Sequence, residues 1–234
     1  MITDEDLQWL KKYLPAITIN ADRTEARGSI SFIASYDKDA GLTWLLEENL
    51  KVPGEILNGT YEVLIIKSDD LNELPSLQIN LDEGKINIDR HFNQTDGKAC
   101  LCGPVERGEF LRSEFLFIKF LERLIIPFLY AQTYFDKHRK WPWGELAHGS
   151  AGILQSFANS EGTKEDIEAC LHEFRKDKSN WPRIKAVLSG HKRLTESSVC
   201  FCQTPKQIRK CHPDVLFRMG KFRAAIQQHR IRLT

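Results

Sequence analysis

The chain of 234 residues is long enough to bury one full hydrophobic core and a smaller appended one. With 41% hydrophobic residues, 28% charged residues and a net charge of +1, its composition excludes intrinsic disorder and a fibrous fold. The N-terminal segment 1–14 is charged and amphipathic, so we expect no secretory signal. Charged residues and Pro127 interrupt the most apolar segment, 115–130, so we expect no membrane span.

The first 90 residues have the pattern of a helix followed by an antiparallel β-meander. A helix is predicted from a cap at Thr3 or Asp4 to about Tyr13, because leucines recur at helical spacing and Pro15 follows. Alternating and β-branched apolar residues predict strands at 16–20, 28–36, 61–67, 77–81 and 86–88. Segment 42–50 is either a helical turn or an irregular connection. Turn signals occur at Asn58-Gly59, Asp69-Asp70 and Glu83-Gly84.

After Gly103-Pro104 the hydrophobic period becomes helical. Apolar residues at intervals of three and four predict one long helix from Leu111 to about Lys137, kinked at Pro127 and packed across the meander. Further helices are predicted at 153–157, 163–176, 179–190 and after residue 213. The predicted fold class is therefore α/β (α+β), with a β-meander domain at 1–158 and a helical region at 159–234.

The six cysteines are spaced as metal ligands or reactive thiols. Close pairs in a chain without a secretion signal are typical of a reducing compartment, so we expect a cytoplasmic protein. The cysteines are Cys100, Cys102, Cys170, Cys200, Cys202 and Cys211. We interpret Cys170, inside a predicted helix, as a packing residue.

The C-terminal cysteines have the spacing of a metal site. Cys200, Cys202, Cys211 and His212 supply three thiolates and an imidazole, a complete tetrahedral set for structural zinc. The spacing C-x-C-x8-C-H resembles the SEC-C motif, a small zinc-binding tail, although Gln203-Thr204-Pro205 replaces its usual Gly-Ser-Gly. The alternative is a set of surface cysteines that bind no metal.

Cys100 is the candidate reactive thiol. It follows a predicted strand and a polar turn, and Gly103-Pro104 after it favours exposure. Its residue type is compatible with a nucleophile, with a buried small side chain, or with a metal ligand that is completed by Cys102, His91 and His148.

Two segments resemble the ubiquitin-conjugating enzymes and their bacterial relatives. Gly97-Lys98-Ala99-Cys100-Leu101, preceded by His91-Phe92-Asn93, resembles the family's active-site segment, His-Pro-Asn followed by Gly-x-x-Cys-Leu. Segment 141–149, WPWGELAHG, is similar to the one after the long helix in relatives from CBASS and other anti-phage defence operons. Phe92 replaces the family's proline, and the interval from His91 to Cys100 is one residue shorter.

The resemblance implies a transferase that carries a ubiquitin-like protein on Cys100 as a thioester. Its partners would be a ubiquitin-activating-like enzyme and a ubiquitin-like modifier or a CD-NTase-type target. From the residues themselves we expect no membrane partner, and no nucleic-acid partner because no basic strand with interleaved aromatic residues is present. His91 and Asn93 would support catalysis, or His148 would take over that role. Cys102 would modulate Cys100, form a reversible disulfide with it, or only pack. The alternatives are a non-catalytic adaptor of the same fold and a protein that binds two zinc ions.

Overall fold

The computed structural model describes residues 2–45, 51–70, 73–93, 95–143, 147–202 and 204–233. The strands are β1 (Ile17–Ile19), β2 (Glu25–Asp37), β3 (Gly41–Trp44), β4 (Glu55–Ile66) and β5 (Ser76–Ile79). The helices are α1 (Asp4–Tyr13), α2 (Pro104–Arg112), α3 (Phe117–Phe120), α4 (Ile126–His138), α5 (Gly149–Ala158), α6 (Lys164–Lys176), α7 (Trp181–Leu188), α8 (Ile208–Cys211) and α9 (Val215–Gln228). The predicted class, mixed α/β with an antiparallel sheet, is confirmed.

Contacts divide the chain into two compact units. The first unit comprises Met1–Cys102 and Ser113–Glu145, and the second comprises Gly103–Arg112 and Leu146–Thr234. The boundary predicted after residue 158 falls between α5 and α6, and both of these helices belong to the second unit. Within the described ranges, every helix is too short or too polar to span a bilayer.

The sheet of the first unit is built on the long antiparallel pair β2 and β4. The two strands pair from Glu25 opposite Ile66 to Tyr36 opposite Glu55. Strands β1 and β3 pair with β2, and β5 pairs with β4. Alternate residues of β2 point into the core, as the period of two requires: Ala26, Ile30, Phe32 and Ala34 are buried, whereas Arg27, Ser31 and Ile33 are exposed.

The turn predicted at Asn58-Gly59 is wrong, because both residues lie inside β4, opposite Ile33 and Phe32. A Cβ atom at Gly59 would lie 3.0 Å from a ring carbon of Phe32 and 3.1 Å from Oγ1 of Thr133 in α4. Close packing of α4 on the sheet, and not a turn, therefore favours glycine here.

Three further predictions change. The strand predicted at 86–88 is wrong, since 3₁₀ turns occupy Glu83–Lys85 and Ile88–Arg90. The start of segment 42–50 belongs to β3, and residues 46–50 lie outside the described ranges. The single long helix is wrong, because α2 ends at Arg112 and α3 begins at Phe117. A π-helical turn, Leu121–Ile125, joins α3 to α4 ahead of Pro127.

In the second unit, α5, α6, α7 and α9 enclose a separate core. Thr163 caps α6 as predicted: its Oγ1 accepts from the N–H of Asp166 at 3.2 Å, and the Asp166 carboxylate accepts from the N–H of Thr163 at 3.1 Å. Phe157 and Phe174 both contact Phe222 of α9, with ring centroids 4.7 and 5.5 Å apart. Cys170 is buried in this core, as its interpretation as a packing residue required.

A buried arginine ties the turn after β5 to α4. Arg90 is only 6% exposed; its Nε donates to Oε1 of Gln132 at 2.9 Å and its Nη1 to Oδ1 of Asp136 at 2.7 Å. The Gln132 amide returns a hydrogen bond to the carbonyl of Arg90 at 2.9 Å. Lys85 completes the cluster, 3.0 Å from Asp136.

This cluster predicts an acid-sensitive contribution to stability. Partial burial acts to raise the pKa of Asp136, but hydrogen bonds from Lys85 and Arg90 outweigh it and hold the pKa below its usual range. A depressed pKa stabilises the folded state above the ordinary value of about 4, and this contribution disappears as the pH falls through the folded-state pKa. We expect Asp136→Asn to lower the free energy of unfolding by about 2 kcal/mol at pH 7 and progressively less toward pH 2.

Urea unfolding followed by tryptophan fluorescence measures this effect, because four of the five tryptophans lie in the first unit. The exposed Asp89 provides the control: Asp89→Asn should change stability by less than about 0.5 kcal/mol at every pH. A constant deficit of Asp136→Asn across the pH range would contradict the prediction.

Candidate thiol site and metal centre

The candidate thiol lies on a small hairpin that extends the first unit's sheet. Phe92 and Ala99 form an antiparallel bridge. The Asn93 N–H donates to the Lys98 carbonyl at 2.8 Å, and the Cys100 N–H donates to the His91 carbonyl at 2.7 Å. The hairpin is attached to β5 by the Ala99 N–H, which donates to the carbonyl of Leu77 at 2.8 Å.

This pairing sets which side chains share a face. Phe92 is buried, with its ring edge-on to Phe128 at 5.4 Å. Neighbouring positions of an extended strand alternate in direction, so Asn93 and Cys100, which flank the bridged pair, belong to the face opposite Phe92. The backbone hydrogen bond places His91 opposite Cys100 across the hairpin. Asn93 is the diagonal neighbour of Cys100, and diagonal neighbours are typically about 7 Å apart between their Cα atoms. Cys100 and Asn93 are exposed and His91 is half-buried.

The Asn93 side chain organises the hairpin turn. Its Oδ1 accepts from the N–H of Thr95 at 3.0 Å, and its carbonyl accepts from Gly97 at 2.8 Å. Gly97 has φ +67°, a left-handed conformation that glycine adopts without strain. The Asn93 amide is thus held in the loop rather than extended away from it.

Aromatic contacts hold His91 in place. Its ring lies edge-on to Trp141, with centroids 5.0 Å apart, and Trp141 packs on Phe135 at 4.7 Å. The guanidinium of Arg90 lies over the Phe135 ring at 5.3 Å. Sequence reasoning missed this connection, because only the fold brings residues 90, 135 and 141 together.

The remaining predicted site residues lie elsewhere. Cys102 is half-buried at the end of the first unit's first segment. His148 is half-buried at the N-cap position of α5, in the second unit. Residues 144–146, within the Trp-His segment, lie outside the described ranges. Among the described residues, Cys100, Cys102 and His91 do not form a cluster of three ligand atoms suited to a metal.

The predicted C-terminal ligands do come together. The ligand atoms of Cys200, Cys202, Cys211 and His212 all lie within 4.8 Å of one another. The Sγ atom of Cys200 is 3.3 Å from Nδ1 of His212, and the Sγ atoms of Cys202 and Cys211 are 3.2 Å apart. A tetrahedron with metal–sulfur bonds of about 2.3 Å has edges of about 3.8 Å, so the cluster could hold a metal ion.

A second hairpin and a short helix position these ligands. Val199 and Gln207 form a bridge, and the Cys200 N–H donates to the Lys206 carbonyl at 2.8 Å, which places Cys200 and Cys202 at the hairpin's loop. Helix α8 then ends at Cys211, and His212 is its C-cap. Phe201 between the first two ligands is fully buried, with the Arg183 guanidinium 4.2 Å from its ring centroid.

The thiols of this cluster differ in acidity. Burial raises the pKa of Cys200 to about 12. Burial also acts to raise the pKa of Cys202, but hydrogen bonds from Thr204 and from the neighbouring thiols lower it to about 6. Oγ1 of Thr204 lies 2.9 Å from Sγ of Cys202 and 3.2 Å from Sγ of Cys211. Thr204 therefore contributes hydrogen bonds to the cluster, a role that the sequence pattern did not indicate.

Comparisons with protein-family models, with curated proteins and with solved structures return no match. The residues of the hairpin and of the Cys/His cluster are therefore the basis for a functional proposal.

The cluster predicts one bound metal ion per chain. We expect Cys211→Ser to weaken metal binding at least tenfold, because removing one thiolate leaves an incomplete ligand set. Native mass spectrometry of the full chain measures the stoichiometry, and Cys170→Ala, in the core of the same unit, is the matched control. Equal metal content in wild type and Cys211→Ser would contradict the assignment of the ligands.

Proposed function

We propose that the chain is a ubiquitin-conjugating-like transferase that carries the C-terminus of a ubiquitin-like protein as a thioester on Cys100. The observation that carries the proposal is the exposed thiol of Cys100, opposite His91 on a hairpin that follows an N-terminal helix and an antiparallel sheet. The resemblance of segments 91–101 and 141–149 to that family supports the same function.

The proposed reaction has two acyl transfers. The Cys100 thiolate attacks the thioester carbonyl of the activated modifier, and the thiolate of the activating enzyme leaves. A lysine amine of the target, or another nucleophile, then attacks the Cys100 thioester. The new amide or ester bond forms, Cys100 leaves as thiolate, and the nucleophile's proton passes to a base. Each step has a tetrahedral oxyanion that hydrogen-bond donors must stabilise.

Two residues are candidates for this support. Asn93 shares the exposed face of the hairpin with Cys100, and its amide is held by the turn. His148 is the other candidate, as a hydrogen-bond donor or as the base for the incoming nucleophile. The proposed partners are a ubiquitin-activating-like enzyme and, as the acceptor, a ubiquitin-like modifier's target or a CD-NTase-type protein in anti-phage defence.

We further propose that the metal is zinc in a structural site. Three thiolates and one imidazole are a ligand set that zinc prefers, and a closed set of four leaves no position for a substrate. Cys200 and Cys202 are both buried in the core of the second unit, so the ion would stabilise that core.

A non-catalytic adaptor is the second candidate. It is favoured by one observation: Phe92 replaces the proline of the family's His-Pro-Asn, and the interval from His91 to Cys100 is one residue shorter. In that case the thiol of Cys100 would be incidental to partner binding.

Thioester formation tests the proposal directly. The full chain is incubated with the activating enzyme and modifier from the same gene neighbourhood and with ATP, and the products are separated with and without thiol reductant. We expect a reductant-sensitive adduct in wild type and in Cys102→Ala, and none in Cys100→Ala. An adduct that persists in Cys100→Ala would exclude Cys100 as the acyl carrier, and no adduct in wild type would favour the adaptor.

The supporting residue is identified by discharge kinetics. If Asn93 stabilises the oxyanion, we expect Asn93→Ala to slow transfer from the preformed thioester about 100-fold, the effect of losing one well-placed donor. His148→Ala should then change the rate by less than threefold. The reverse ranking would assign the role to His148, since the same thioester is the starting point for both variants.

A further inference from the structure

His91 has an unusual backbone conformation directly beside the candidate thiol. Its φ is +58°, in the left-handed region that side chains other than glycine rarely adopt. In this conformation its carbonyl accepts the hydrogen bond from the Cys100 N–H at 2.7 Å. A conformation of this kind persists only where the surroundings fix it. His91 is the C-cap of the 3₁₀ turn Ile88–Arg90, where its N–H donates to the Ile88 carbonyl at 3.0 Å and the Phe92 N–H donates to the Asn87 carbonyl at 3.0 Å.

A series of side-chain contacts adds to these backbone hydrogen bonds. Arg90 is buried and held by Gln132 and Asp136 of α4. Its guanidinium lies 5.3 Å from the Phe135 ring centroid, which lies 4.7 Å from Trp141. Trp141 in turn contacts the ring of His91 at 5.0 Å, with the planes at 63°. The contacts run unbroken from α4 to His91, and the next backbone hydrogen bond reaches Cys100.

We propose that Trp141 is a positioning residue for Cys100, acting through His91. By packing against the imidazole, Trp141 adds to the backbone hydrogen bonds of the 3₁₀ turn in keeping the His91 backbone left-handed and its carbonyl directed at the Cys100 amide. The direction of the Cys100 N–H bond in turn constrains the positions of the Cβ and Sγ atoms of Cys100. The role of this position in thioester chemistry rests on the proposed function, but the positioning itself does not.

Trp143 is the natural control, because it lies two residues away and makes different contacts. Its ring lies 5.0 Å from Tyr36 and 6.1 Å from Tyr130, and it is 45% exposed. Both tryptophans anchor the segment after α4, but of the two only Trp141 has a ring contact with His91 among the described residues. Substitution of either should affect stability, whereas only Trp141 should affect Cys100.

The experiment measures Cys100 without any modifier. The full-length proteins compared are wild type, Trp141→Ala, Trp141→Phe and Trp143→Ala. The first measurement is hydrogen exchange of the Cys100 amide. The second is the rate of Cys100 alkylation by iodoacetamide from pH 6 to 10, with each cysteine resolved by peptide mapping. We expect Trp141→Ala to lower the protection of the Cys100 amide at least tenfold and to shift the alkylation profile. Trp141→Phe, which retains an aromatic ring, should restore most of the protection.

Trp143→Ala should leave both readouts within twofold of wild type, even where its melting temperature falls as far as that of Trp141→Ala. Equal effects of Trp141→Ala and Trp143→Ala, or no effect of either, would overturn the proposal. Should Trp141→Ala not fold by circular dichroism, Trp141→Leu replaces it, with the same expected loss of protection.

A double-mutant cycle adds a readout that a general structural role would not move. Glycine adopts a positive φ without help, so in a His91→Gly background the further change Trp141→Ala should lower protection less than twofold. An unchanged tenfold loss in that background would show that Trp141 does not act through His91. Because no modifier is used, these outcomes stand apart from the thioester assay: a chain that forms no adduct can still show the coupling, and the reverse also holds.

Discussion

The buried guanidinium of Arg90 is the constraint on which the candidate thiol site depends. A charge in this position is tolerated only while its hydrogen bonds are made, and Gln132 and Asp136 make them from one helix. Arg90 directly precedes His91, so the start of the Cys100 hairpin is fixed relative to α4. Its other end is fixed to β5 through Ala99 and Leu77. Detaching the hairpin would break these hydrogen bonds and leave the fully buried Gln132 side chain without them, so the start of the hairpin is held against α4.

In the second unit the corresponding constraint is the ionisation of the clustered cysteine thiols. Burial favours the neutral thiol of Cys200, whereas the hydrogen bonds of Thr204 favour the thiolate of Cys202. These opposed preferences sit within one cluster, inside a core that also holds Phe201 and Ile208. A divalent cation would resolve the conflict, because it would stabilise every thiolate it binds and compensate their mutual repulsion. The hydrophobic packing and the candidate ligand set are therefore one structural feature of this unit.

Features that depend on residues close together in the sequence could be predicted from it, whereas features that depend on residues far apart could not. Thr3 and Thr163 begin helices with capping boxes formed within four residues, so the pattern alone predicts them. The error at Asn58-Gly59 has the opposite origin: this dipeptide is a common turn signal, but here glycine is favoured by close contacts with Thr133 and Phe32, which are remote in sequence. Likewise, the break at 113–116 between α2 and α3 contains no glycine or proline, so helical periodicity runs through it.

The two candidate sites differ in the same respect: one depends on residues close together in the sequence and the other on residues far apart. The four C-terminal ligands lie within 13 residues, and their spacing was sufficient to predict the cluster. The spacing from His91 to Cys100 was not sufficient to predict how these two residues pair, because the register of the hairpin depends on contacts outside it. The bridge of Phe92 with Ala99 is held by Phe128 on one side and Leu77 on the other. A residue gained or lost between Asn93 and Lys98 would thus alter the turn and not the pairing of His91 with Cys100.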